Sequence, residues 1–158
     1  IGAEIGLHFD EKQYLQMSQT IYKEDFLTEC IKQEAKILSQ IIDTPVKTVS
    51  MHRPSGQTLQ ADLKIDNLIN TYSQTFLKDF KYVSDSRRNW RENVDVILES
   101  NQYNRLHILT HPFWYDEKES SLHDALLNFC RQANGERYEA LADNFKDLLE
   151  VLDRLEVI

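Results

Sequence analysis

Residues 46–56 read VKTVSMHRPSG, an apolar segment that runs directly into a histidine, an arginine and a proline. Val46–Met51 has the short, β-branched composition of a strand. His52 then stands at the end of that strand, which is where ligands bind in parallel α/β sheets. Pro54 restricts the residue before it and pushes Arg53 toward an extended conformation. The segment therefore predicts a strand followed by a rigid loop that carries a functional site.

Two further apolar segments also bring a histidine to the end of a predicted strand. Glu4–Phe9 contains His8, and Leu106–Thr110 is followed directly by His111. A fourth strand-like segment, Lys81–Ser84, ends at an acidic residue. Stretches with helical spacing separate these segments, and alternating strands and helices predict a parallel sheet covered by helices. The predicted fold class is α/β. Because four strands are too few to close an eight-stranded barrel, we expect an open or incomplete barrel-like sheet.

The clearest predicted helix covers Glu24–Ile42, where apolar residues recur at a spacing of 3.6 residues. Glu34 falls within the apolar stripe of this helix. A carboxylate is costly to bury alone. Glu34 therefore either reaches solvent or orients a residue of the site.

Long helices are also predicted near the carboxyl terminus of the chain. A first helix starts at Ser121 and stops at Asn134-Gly135, where glycine favours a helix end. A last helix covers residues 138–155, with apolar residues in a 3-4 alternation. This last helix either packs on the domain or forms a homodimer.

The composition describes an ordinary soluble chain of 158 residues, with 41 % hydrophobic and 28 % charged residues. A net charge of −8 without a basic patch argues against nucleic acid as a partner, but leaves a neutral sugar open. No apolar run approaches the roughly 18 residues that a membrane span needs. Cys30 and Cys130 both fall on apolar helix faces, so we expect reduced, buried thiols rather than a disulfide.

The chain opens on Ile-Gly-Ala-Glu-Ile, without an initiator methionine and without the pattern of a signal peptide. We therefore expect residues 1–158 to form a single domain. We expect the chain to be the later part of a longer protein, so that the first strands of this domain are missing from it. We also expect the protein to be cytoplasmic.

Individual residues of this framework can carry chemistry. A histidine that binds a metal usually has its second ring nitrogen held by a carboxylate or carbonyl, and Glu4 or Asp10 could hold that of His8. The alternative is a structural, hydrogen-bonding His8. Arg53 has the planar fork that pairs with carboxylates. Asp85 could orient Arg53 or a histidine, or could cap the next helix.

Aromatic residues surround two of these candidates. Phe113, Trp114 and Tyr115 follow His111 directly, and Trp90 follows the acidic strand end. Three consecutive aromatic side chains cannot all point into a core. An exposed aromatic shelf beside a histidine is typical of a sugar-binding cleft, and core filling is the alternative. The chain has no nucleotide-binding glycine loop, no GxSxG motif and no paired-cysteine zinc motif.

Taken in order, these motifs resemble the polysaccharide deacetylase family of carbohydrate esterases. The segment EIGLH resembles a family motif that supplies a metal-binding histidine, here His8. The segment HRPSG resembles the next motif, matched by Arg53 with the proline and glycine after it. Asp85 and Trp90 loosely resemble a fourth motif. LTHP, which ends in His111 and Pro112, resembles the last, and the resemblance covers roughly residues 1–115.

The chain departs from that family in two ways. The first family motif, an aspartate pair that supplies a base and a metal ligand, should lie upstream and is not in these residues. A second motif histidine would stand four residues after His8, where the chain has Lys12. His52 is our hypothesis for the replacement ligand.

The resemblance implies a distorted barrel-like deacetylase fold that binds a divalent metal, most simply zinc, through His8 and His52. The enzyme would remove an acyl group from an N-acetylated sugar of a polysaccharide or its precursor. The resemblance implies His111 as the general acid, with Arg53 and Asp85 holding the catalytic groups. Substrate contacts are assigned to three residues: Asp10, Trp90 and Trp114. A silent carbohydrate-binding or polysaccharide-assembly protein on the same fold is the alternative.

Overall fold

The computed structural model describes residues 2–17 and 24–157. They divide into two compact units. The first contains the described residues up to Ser84 together with Arg91–Leu109, and the second contains Asp85–Trp90 and the described residues from Thr110 onward. The prediction of a mixed α/β chain with parallel strands is confirmed.

The described strands and helices are short, apart from two helices. The strands are β1 (Leu7–Phe9), β2 (Thr48–Met51), β3 (Ile69–Asn70), β4 (Lys81–Ser84) and β5 (Leu106–Leu109). The α-helices are α1 (Glu11–Met17), α2 (Glu24–Ile41), α3 (Gly56–Ala61), α4 (Val94–Glu99), α5 (Leu122–Asn144) and α6 (Leu148–Val151).

The strands of the first unit form two parallel sheets instead of one. The first sheet has the order β1-β2-β3, and β4 pairs with β5 in the second. Neither sheet closes into a barrel within the described ranges. Strand β3 was not predicted, because two residues are too few to show an alternating pattern.

The core of the first unit lies between α2 and one face of the first sheet. Alternate residues of β1 and β2 are buried there, so that Leu7 and Phe9 pack beside Val49 and Met51. Helix α2 contributes further apolar residues, namely Leu27, Cys30, Ile31 and Ala35. Because side chains alternate along a strand, the residues between these buried ones point to the opposite face of the sheet.

A close approach between two segments fixes the position of β1. A Cβ atom on Gly6 would stand 2.5 Å from Oγ1 of Thr48 and 3.2 Å from its carbonyl oxygen. Only a residue without a side chain allows the chain to come this near to β2. The glycine in EIGLH therefore has a steric role next to the candidate site.

Helix α2 ends one residue before the predicted Ile42. Glu34 is half-buried, and its carboxylate accepts a hydrogen bond of 2.5 Å from the hydroxyl of Tyr14 in α1. This hydrogen bond raises the pKa of Tyr14 to about 12. The contact joins α1 to α2, so Glu34 is paired with a tyrosine and not with one of the candidate site residues.

Two predictions for the second unit are wrong. Helix α5 starts after its N-cap Ser121, as expected, but continues through Asn134-Gly135 to Asn144. Gly135 is buried there, and the Asn134 side chain donates to the carbonyl of Val157, so packing overrides the preference of glycine for a helix end. The expected last helix over 138–155 is instead interrupted by extended backbone at Phe145 and Leu152.

The two cysteines are free, as predicted, and Cys30 is buried. Cys130 is exposed, so the prediction of its burial is wrong. It lies on α5, where Leu126 and Phe129 are also largely exposed, so this apolar face is not part of a core. No helix among residues 2–17 and 24–157 is both long and apolar enough to cross a lipid bilayer.

Candidate functional site

One candidate group in the first unit is a pair of histidines on the face of the first sheet opposite to the core. His8 lies in β1, one residue before the strand ends at Phe9, where the predicted strand also ends. It is in register with Ser50 of β2, and His52 lies two residues farther along. Because side chains alternate, all three share one face. Nε2 of His8 is 3.2 Å from Nδ1 of His52.

The other ring nitrogen of His8 is held from the neighbouring strand. Its Nδ1 lies 2.8 Å from Oγ of Ser50, and that hydroxyl lies 3.4 Å from the carbonyl oxygen of Leu7. In the tautomer that donates from Nδ1 to Ser50, the serine hydroxyl donates to Leu7 and Nε2 keeps its lone pair. The partner expected from Glu4 or Asp10 is thus supplied here by a serine, while Glu4 accepts a hydrogen bond from Thr48.

The histidine pair suits two ligand positions of a zinc ion. Two nitrogens bound to one tetrahedral zinc at about 2.0–2.1 Å lie about 3.3–3.4 Å apart, close to the 3.2 Å between His8 and His52. Imidazole also suits other divalent transition metals. No group of three or more His, Cys, Asp or Glu side chains arranged for a metal occurs among the described residues. Within the described ranges, a metal at this pair would therefore have two such side chains as ligands.

The loop after β2 has a different backbone from the one predicted. Arg53 has a φ of 51°, in the left-handed region, so the expectation of an extended Arg53 is wrong. The chain turns sharply here to enter α3. Ser55 caps the start of that helix, and its side chain accepts a hydrogen bond from the backbone N–H of Thr58. Such strained backbone is common at functional positions. The Arg53 side chain is exposed.

A separate candidate group, a carboxylate–histidine pair, lies in the second unit. Oδ1 of Asp85 lies 2.5 Å from Nδ1 of His111. Oδ2 accepts hydrogen bonds of 2.9 Å from the backbone N–H of His111 and from the hydroxyl of Tyr115. Asp85 is only 1 % exposed, whereas 42 % of the His111 side chain is exposed. Asp85 makes no side-chain cap for the short helical turn after it.

These hydrogen bonds keep Asp85 ionised. Burial alone would raise the pKa of the Asp85 carboxyl, but the hydrogen bonds from His111 and Tyr115 outweigh burial and lower it below its ordinary value. In turn, the hydrogen bond to Asp85 raises the pKa of Tyr115. A buried carboxylate on Nδ1 fixes the tautomer of a histidine and stabilises its protonated form. Because Asp85 engages Nδ1, Nε2 is the other ring nitrogen of His111 at which a proton could be exchanged.

Aromatic residues lie close to this pair in the sequence, and one of them, Tyr115, contacts Asp85. Trp90 lies near Tyr115, whose hydroxyl donates to Asp85. Phe113 and Tyr115 are largely exposed, and Trp114 is half-buried. The ring of Phe113 packs edge-on against Trp114. The three aromatic side chains after His111 therefore form neither a fully exposed shelf nor a fully buried part of a core.

The remaining candidates have local partners. Asp10 is half-buried and accepts a hydrogen bond from the backbone N–H of Lys12. His107 lies between the rings of Phe76 and Tyr82, and burial lowers its pKa. His123 is exposed on α5.

Three residues that support these candidate groups were not identified from the sequence. Ser50 holds His8, the hydroxyl of Tyr115 holds the Asp85 carboxylate, and Glu11 is a buried carboxylate that binds the loop after β2. The period of two in SMH places Ser50 and His52 on one face, which is a signal that the sequence contains. Nothing in the sequence singles out Glu11, because a charged residue that follows a strand is normally predicted to be exposed to solvent.

The chain was also compared with known proteins. No family model matches it, and neither a curated protein nor a solved structure shows significant similarity to it.

Proposed function

We propose that this chain is a metal-dependent hydrolase that removes the acyl group from an N-acetylated sugar, as a diverged relative of the polysaccharide deacetylases. The observation that carries the proposal is the Asp85–His111 pair. A buried, ionised carboxylate behind a partly exposed imidazole is an arrangement for moving protons. The proposal also rests on the order of the sequence motifs that resemble that family.

Amide hydrolysis needs one proton to reach the departing nitrogen. Water adds to the carbonyl carbon, the carbon–nitrogen bond breaks, and the products are a carboxylic acid and a free amine. The imidazole of His111 delivers the proton from Nε2 to the amine, while Asp85 stabilises the imidazolium through Nδ1. The hydroxyl of Tyr115 keeps the Asp85 carboxylate in place.

The metal would be held by His8 and His52. When bound, a divalent ion such as zinc polarises the acyl carbonyl and lowers the pKa of water. Ser50 orients His8 through Nδ1, so that Nε2 is directed at the position shared with His52. The backbone N–H of His52 donates to the carbonyl of Phe9 at 2.7 Å, which fixes the residue beside β1.

The proposal assigns substrate contacts to polar and aromatic side chains that are half-buried or exposed. The indoles of Trp90 and Trp114 offer flat apolar faces of the kind on which sugar rings stack. Asp10 supplies a carboxylate for sugar hydroxyls, and the exposed guanidinium of Arg53 supplies a planar donor for a carboxylate of the site or the substrate. The barrel-like deacetylase fold is part of the same proposal.

A silent carbohydrate-binding protein is the second candidate function. It is favoured by the two-ligand metal pair, since Lys12 stands where the resemblance calls for a further histidine. Such a protein would bind the same sugars without hydrolysing them. A homodimer through the C-terminal helices remains a separate proposal, and mass measured at several protein concentrations tests it.

Activity on N-acetylglucosamine oligosaccharides tests the proposed function. With zinc present, we expect the wild type to release acetate and free amine in equal amounts. His111→Ala should lower kcat by about 10²–10⁴-fold, the usual contribution of a general acid. His123→Ala, at an exposed histidine of α5, is the matched control. Sugar binding by calorimetry without any acetate would favour the silent protein instead.

A further inference from the structure

A buried carboxylate joins the two chain segments that leave β1 and β2. Glu11, the first residue of α1, is only 4 % exposed. Its Oε1 accepts a hydrogen bond of 2.5 Å from the backbone N–H of Ser55, and its Oε2 accepts one from the hydroxyl of Thr58. Ser55 ends the HRPS loop as the N-cap of α3, and Thr58 lies in the first turn of that helix.

The contact does more than complete the cap of α3. Ser55 already caps that helix, because its hydroxyl accepts from the backbone N–H of Thr58 at 3.2 Å. A carboxylate is costly to bury, so an apolar side chain would be the cheaper filling at this position. What Glu11 adds is a connection from the end of β1 to the loop after β2.

We propose that Glu11 is a positioning residue for the metal-binding histidine pair. His8 lies three residues before Glu11, and His52 lies three residues before Ser55. By binding Ser55 and Thr58 together, Glu11 fixes the loop that begins at His52 and so sets the separation of the two rings. The role in metal binding rests on the proposed function, whereas the positioning is already a property of the metal-free chain.

The chain offers a conservative variant and a matched control. Glu11→Gln keeps an oxygen that accepts from Ser55 and gains an NH₂ group that donates to the Thr58 hydroxyl. Glu11→Ala loses both contacts. Glu34→Ala removes a carboxylate that also accepts one hydroxyl hydrogen bond in the same unit, from Tyr14, without touching the loop.

Titration with Co²⁺, followed by its visible absorption, measures the metal affinity of these variants. Loss of a residue that orients a metal ligand typically costs about 10–100-fold in affinity, and we expect this from Glu11→Ala. Glu11→Gln should remain within about threefold of the wild type, and Glu34→Ala should be unchanged. Equal affinities for Glu11→Ala and the wild type would overturn the proposal, as would an equal loss in Glu34→Ala.

NMR of the imidazole nitrogens in the metal-free chain separates this proposal from the proposed function. We expect a fixed tautomer for His8 and His52 in the wild type, and an averaged His52 signal in Glu11→Ala. A fixed His52 in Glu11→Ala would refute the positioning role whatever the cobalt result. If the wild type binds no cobalt but the His52 signal is still averaged in Glu11→Ala, the proposed function fails and the positioning role of Glu11 stands.

A milder variant covers the case in which Glu11→Ala does not fold. Thr58→Val removes one of the two donors and keeps the shape of the side chain. We expect it to weaken cobalt binding less than Glu11→Ala and to broaden the His52 signal. A folded Thr58→Val protein with wild-type affinity and a wild-type His52 signal would contradict the proposal.

Discussion

Nδ1 of His111 lies 2.5 Å from Oδ1 of Asp85, and the carboxylate is 1 % exposed whereas 42 % of the imidazole side chain is exposed. The residues are 26 positions apart, but each follows one of the two paired strands β4 and β5. The carboxyl ends of parallel strands meet at one edge of a sheet, which explains why these two residues form a pair.

Asp85→Asn should lower kcat for acetate release by about 10²-fold or more, with little change in KM, because the amide no longer fixes the His111 tautomer or stabilises its protonated form. Steady-state kinetics on N-acetylglucosamine oligosaccharides measures this. Asp116→Asn, at an exposed carboxylate that accepts only a local backbone hydrogen bond, is the control. A kcat within threefold of the wild type for Asp85→Asn would remove His111 from the mechanism.

Tyr115→Phe should raise the pKa of Asp85, because one of the hydrogen bonds that lower it is removed. A carboxyl with a lowered pKa in the folded state stabilises the fold above its ordinary value of 3.8, and this stabilisation is lost as pH falls through the lower folded value. In Tyr115→Phe this stabilisation is therefore smaller, and its loss is complete at a higher pH.

The carboxyl carbon signal of Asp85, followed by NMR against pH, measures the change. Tyr103→Phe, at an exposed tyrosine of the first unit, should leave the Asp85 titration unaltered. An unchanged Asp85 pKa in Tyr115→Phe would show that the Tyr115 hydroxyl does not support the carboxylate.

The same carboxylate–histidine pair shows what the sequence can and cannot predict. Asp85 and His111 were found because each follows a strand of recognisable composition. Their pairing remained open in the sequence, since Asp85 could equally have oriented Arg53. Contacts made by single hydroxyls, such as that of Tyr115, leave no pattern.

Packing decided the points at which local patterns failed. Gly135 predicts the end of a helix, yet in the structure it is buried within α5. Pro54 predicts an extended backbone at Arg53, yet in the turn that leads into α3 Arg53 has a positive φ. In both cases a tertiary requirement is stronger than a local preference, which is of order 1 kcal/mol for glycine in a helix.

Ser50→Ala should weaken zinc binding by about 10-fold, because the serine hydroxyl that orients His8 through Nδ1 is lost. Competition against a zinc-binding dye measures the affinity. Thr48→Val is the matched control, since Thr48 lies on the same strand and face but its hydroxyl donates to Glu4. Equal affinity for Ser50→Ala and the wild type would mean that His8 is not oriented by the serine.

Gly6→Ala should destabilise the fold by about 1–3 kcal/mol, the usual cost of inserting a methyl group where there is no room. The added Cβ would stand 2.5 Å from the Thr48 hydroxyl oxygen. Chemical denaturation measures the free energy of unfolding. Gly56→Ala is the control, because no atom lies within 4 Å of its added Cβ. Equal unfolding free energies for the two variants would contradict the close packing of β1 on β2.

Zinc binding at equilibrium tests the central claim most directly. The account predicts that the purified full chain binds one zinc ion, and that His8→Ala and His52→Ala each abolish this binding while His107→Ala preserves it. Zinc binding that is unchanged in both His8→Ala and His52→Ala, or a folded wild-type chain that binds no zinc, would contradict the account.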